Sequence, residues 1–102
     1  MTNDEQALAR YQFSDAVDVL ATFERLGIDH LEVSNKRTIV IYQRTIFDFA
    51  VLTGHLDTAQ TVEVEVFDIS PDLDAETDSV SLIEHLIGEL ATTASVDWER
   101  QG

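Results

Sequence analysis

Cysteine is absent from the 102 residues, which removes disulfides, thiolate nucleophiles and every cysteine-based zinc or iron–sulfur centre. Proline occurs once, lysine once at position 36, and glycine four times, at positions 27, 54, 88 and 102. Glycines so dispersed build no phosphate-cradling loop, and Lys36 has no nucleotide-binding context around it. Apolar runs such as Ile39–Tyr42 are four residues long, against the roughly 20 needed to cross a bilayer as a helix. The opening Met1-Thr2-Asn3-Asp4-Glu5-Gln6 is acidic, whereas a secretory signal is basic and then apolar, so the expected compartment is the cytoplasm.

What is abundant is negative charge. Twenty Asp and Glu against six Lys and Arg give a formal charge of −14. Such a surface repels phosphate backbones and anionic lipid, which predicts neither nucleic-acid nor membrane binding and makes any charged partner a basic protein. With 44% hydrophobic residues the chain escapes the composition of disorder, and a chain of this size buries about 65% of its unfolded surface, enough for one core.

Residues 1–12 read as a leader, with Thr2 and Glu5 spaced as a capping box ahead of Ala7-Leu8-Ala9. Over 14–26 the residues Phe13, Ala16, Val17, Leu20, Phe23 and Leu26 recur at helical spacing, with Ser14 as cap and Gly27 as stop. From residue 28 the period becomes two. Asp29–Ser34 and Thr38–Gln43 form a hairpin around Asn35-Lys36-Arg37, followed by strands over Ile46–Thr53 and Thr61–Ile69. The loop Ser70-Pro71-Asp72-Leu73-Asp74 leads to a second helix near Ser79–Ser95, capped by Thr77 or Asp78. The predicted fold is α+β in two layers, a four-stranded antiparallel meander flanked by an N-terminal and a C-terminal helix (α-β-β-β-β-α). The domain is expected over 13–96, with 97–102 a tail whose Trp98 docks on something.

Motifs for chemistry are few. His55 and Asp57 are the best fragment of a metal site, but two donors in a turn are common, and no metal or other cofactor is expected. No nucleophile elbow, Ser-x-x-Lys or His-Glu-x-x-His is present, so an enzyme is not expected.

Two surfaces stand out instead. If Val62, Val64 and Val66 face the helices, Thr61, Glu63, Glu65 and Phe67 face away, and Val40 and Tyr42 are expected beside them. Such a mixed apolar and charged face predicts an interface, most simply a homodimer. The second surface is electrostatic. Residues 1–51 carry a net charge of −3 and residues 52–102 carry −11. Asp68, Asp72, Asp74, Glu76 and Asp78 form an acidic patch, and Lys36, Arg37 and Arg44 a basic cluster. Three readings of the acidity stand: a solubilising surface, adaptation to a saline cytoplasm, or mimicry of nucleic acid toward a basic protein. The expected function is a small acidic non-enzymatic interaction or regulatory module that self-associates through the exposed sheet face. The alternatives are an acidic inhibitor, a small chaperone or adaptor, and a metal-dependent protein using His55 and Asp57.

Overall fold

A computed structural model describes residues 8–69 and 79–101. It contains six strands and two helices: β1 Leu8–Val17, α1 Val19–Leu26, β2 Asp29–Ser34, β3 Arg37–Tyr42, β4 Thr45–Thr53, β5 Ala59–Ile69, α2 Ser79–Ala94 and β6 Trp98–Gln101. The strands form one antiparallel sheet in the order β2-β3-β4-β5-β1-β6, so β2 to β5 are the expected meander. The α+β class holds. The sheet has six strands where four were expected, because Leu8–Val17 and Trp98–Gln101 join it.

The first added strand is β1. Ala9, Tyr11 and Phe13 are buried while Leu8, Arg10 and Gln12 are exposed, a period-two pattern through residues expected to be a leader. Phe13 and Val17 mislead because a spacing of four satisfies a helix and a strand alike. The helix therefore starts at Val19, not near Ser14. Its cap is Asp18, whose carboxylate accepts from the Ala21 N–H at 3.0 Å. At its other end Gly27 is left-handed (φ 72°), and the Gly27 and Ile28 N–H groups donate to the Glu24 and Phe23 carbonyls at 3.2 and 2.9 Å. This is a Schellman stop, which favours glycine.

The second added strand is β6, which pairs with β1 from Arg10↔Gln101 to Phe13↔Trp98. The Trp98 ring meets Tyr11 edge-on, at 5.5 Å and 72°. Residues 8–12 and 98–101 thus belong to the same sheet as the predicted domain.

Both helices lie on one side of the sheet. Tyr11, Phe13, Phe47, Phe49, Val62 and Val64 point toward them and are fully or almost fully buried. From above, Phe23 of α1 and Ile83, Leu86, Ile87 and Leu90 of α2 close the core. Two hydroxyls tie α2 to the sheet. Tyr11 donates to Glu84 at 3.3 Å, and Glu84 also accepts from Arg100 at 3.4 Å. Tyr42 donates to Glu89 at 3.1 Å, and its oxygen lies 2.5 Å from His85 Nδ1.

Burial, together with the neighbouring carboxylates Glu84 and Glu89, raises both phenol pKa values above their ordinary value near 10. A raised folded pKa means that the unfolded chain releases its protons first as pH climbs. The stability these tyrosines contribute is therefore complete below about pH 10 and declines as pH rises above it. Urea unfolding between pH 8 and 11 should show this decline, and Tyr11→Phe should make it shallower.

The β3–β4 turn holds a local backbone strain. Gln43 and Arg44 both have positive φ, 52° and 61°, as a two-residue type I′ hairpin requires, although Asn-Gly is the pair that accepts this geometry best. Replacing Gln43-Arg44 by Asn-Gly should stabilise the protein by about 1 kcal/mol, read as a higher urea midpoint with an unchanged slope.

Candidate functional site

The sheet face opposite the helices is uncovered among the described residues. Its composition follows from strand parity and pairing. On β3 the outward residues are Arg37, Ile39 and Ile41; on β4 they are Ile46, Asp48, Ala50 and Leu52; on β5, Glu63, Glu65 and Phe67. Leu31 of β2 stands opposite Ile39, and Ile41 stands opposite Ile46. Phe67 sits at a bulge in β5, where the register shifts between Ile46 and Phe47. Leu31, Ile39, Ile41, Ile46 and Phe67 therefore run as one apolar strip across four adjacent strands. Leu31 is 68%, Phe67 60% and Ile41 50% exposed.

Charges border the strip. Arg37 forms a two-pronged pair with Asp48, Nε to Oδ1 at 2.8 Å and Nη2 to Oδ2 at 2.6 Å. Arg10 Nε binds Glu63 at 2.8 Å. The Arg37 pKa is pushed up, first by its hydrogen bond to Asp48 and then by that carboxylate's charge, with Glu65 adding to it. Asp29, paired with Ile41, and Glu99, paired with Gln12, lie toward the two sides of the same face. The face thus carries at least five acids, Asp29, Asp48, Glu63, Glu65 and Glu99, against Arg10 and Arg37.

Of the residues expected at this interface, Glu63, Glu65 and Phe67 are on the open face. Val40 and Tyr42 are not: both are buried on the helix side, Val40 completely and Tyr42 with its hydroxyl tied to α2. The two faces of β3 are nearly equally apolar, so alternation cannot say which is inside, and a one-residue slip exchanges them. A usable signal was Arg37, which shares parity with Ile39 and Ile41 and marks their side as the wet one. Leu31, Ile39 and Ile41 are the strip residues that this slip concealed.

The basic group does not converge. Lys36 and Arg37 sit at the β2–β3 end of β3 and Arg44 in the turn at its other end, separated by the length of the strand, about 20 Å. In the acidic stretch, Asp72, Asp74, Glu76 and Asp78 lie outside the described residues, as do the helix caps Thr77 and Asp78. Asp68 belongs to β5, paired with Ile46.

His55 and Asp57 lie in the loop between β4 and β5, lining a shallow groove of about 410 Å³ with Leu20, Glu32, Asn35 and Leu56. Leu56 between them is the structural residue. It is buried, its N–H donates to Asn35 O at 2.8 Å, and its carbonyl accepts from Val19 N–H at 2.7 Å. His55 and Asp57 flank this plug and stay exposed. Among the described residues, no three His, Asp or Glu side chains gather as a metal-holding group. A second groove, about 390 Å³, runs between Leu26 and the α2 residues Glu84, His85, Gly88, Glu89, Thr92 and Thr93. Its ionisable groups Glu84, His85 and Glu89 are engaged in the ties to Tyr11 and Tyr42.

No protein-family model, curated protein or solved structure matches the chain. No helix among the described residues is long and apolar enough to cross a membrane.

Proposed function

We propose that the protein is a small non-enzymatic interaction module whose open sheet face docks an apolar protein segment flanked by basic residues. The observation that carries this reading is the strip Leu31–Ile39–Ile41–Ile46–Phe67, continuous across four strands and half or more exposed at three positions. Apolar surface gathered in one place and rimmed by charge is the usual composition of a docking site. The rim selects the partner. A second copy laid on this face would set these acids against their own copies, whereas lysines or arginines flanking an apolar segment meet opposite charge.

A labelled peptide of four apolar residues with two lysines at each end tests the reading by fluorescence anisotropy. The wild-type protein should bind it, and Ile41→Glu should weaken binding at least about tenfold. Rising salt should weaken it as well. Equal binding of the same apolar centre flanked by glutamates would contradict the reading. Nucleic-acid mimicry makes a different prediction: an all-lysine peptide should bind the wild type and Ile41→Glu equally well.

A further inference from the structure

Among the described residues the sheet ends on β2 at one side and on the four-residue β6 at the other. Strand β2 has no lysine or proline to blunt its edge, and every residue of it except the half-buried His30 is exposed. We propose that two copies of the chain pair through β2, antiparallel about a twofold axis at Leu31, joining two six-stranded sheets into one of twelve.

The register follows from the backbone. Thr38 Oγ1 donates to the Leu31 carbonyl at 2.9 Å, so the Leu31 peptide groups are turned toward β3. In an antiparallel ladder successive residues point their N–H and C=O groups to opposite sides, which leaves those of His30 and Glu32 at the open edge. Setting His30 against Glu32 of the other copy satisfies both groups at two symmetric positions. Leu31 then meets Leu31 of the other copy in the narrow, non-hydrogen-bonded pair on the open face.

Side chains select this register over its neighbours. Shifting by two residues one way sets Glu32 against Glu32. Shifting the other way sets His30 against His30 and Asp29 against Leu31. Only the register centred on Leu31, of these three, pairs the carboxylate with the imidazole and leucine with leucine. The bulge between Glu32 and Ser34 ends the regular ladder just beyond this window and limits further slippage. The two apolar strips then meet at Leu31 and form one band across the dimer. The dimer rests on the β2 edge and peptide docking on the face, so either can fail alone.

Because the chain has no cysteine, Leu31→Cys introduces a single thiol at an exposed position. Mild oxidation should convert most of this variant to a reductant-sensitive covalent dimer, while Ile41→Cys and Phe67→Cys remain largely without a cross-link. Cross-linking of Leu31→Cys no faster than of Phe67→Cys would overturn the proposal, as would fastest cross-linking of Ile41→Cys, the result of face-to-face packing. In sedimentation equilibrium the wild type should dimerise by about 0.1 mM, Glu32→Lys should weaken the dimer roughly tenfold, and Glu32→Gln should stay within about twofold. A wild type that stays monomeric over that range would also overturn it. Peptide binding retained by Glu32→Lys, which lies outside the strip, would place the loss in the edge contact and leave the docking face standing.

Discussion

Phe49→Ala is expected to lower the free energy of unfolding by about 4 kcal/mol. Phe49 is completely buried on β4, between Thr38 of β3 and Val64 of β5, and α1 lays the Phe23 ring edge-on against it at 5.6 Å and 85°. Truncation opens a void between sheet and helix that neither layer can close, because the sheet is held on both sides of β4. Small domains have about 5–15 kcal/mol of stability in all, so much of the margin goes at one position. Urea unfolding measures the loss, and Phe49→Leu, which keeps most of the volume, should recover the greater part. A loss below about 1 kcal/mol would mean that α1 does not pack on β4 in this way.

Gly54→Ala is expected to cost about 3 kcal/mol. Gly54 follows β4 with φ at 92°, and a methyl group added there would fall on the Thr58 carbonyl oxygen. Because the obstacle is backbone, the β4–β5 loop must move, and with it Leu56 and its hydrogen bonds to Asn35 and Val19. Gly27→Ala is the matched comparison. Its φ is also positive, but an added methyl meets nothing within 4 Å, so only the left-handed backbone penalty of about 1 kcal/mol applies. Urea midpoints of the two variants should therefore differ clearly. Equal losses would assign the whole effect to φ and remove the steric part of the argument.

Legibility in the sequence followed how sharply each segment separates its two periods. On β5, Val62, Val64 and Val66 alternate with Thr61, Glu63 and Glu65, and the strand and its facing are both readable. On β4, Asp48 among Ile46, Ala50 and Leu52 marks the wet side. On β3 nearly every residue is apolar, so pairing and the anchoring of Tyr42 decide its orientation, and neither is a local property. Strand β1 hides because Phe13 and Val17 fit both periods, and β6 because four residues are too few for a pattern. The same logic explains the site. Phe67, Glu63 and Glu65 could be found beside a clear strand, whereas Leu31, Ile39 and Ile41 depended on the facing of β3 and on its neighbour β2.

Docking of a partner on the exposed strip can be followed residue by residue in a peptide titration. Amide chemical shifts of the 15N-labelled protein, recorded as the lysine-flanked apolar peptide is added, should move at Leu31, Ile39, Ile41, Ile46 and Phe67, with smaller changes at Asp48 and Glu65. Shifts confined to His85, Glu89 and Thr92 on α2, with the strip unmoved, would show that the open sheet face is not the docking surface.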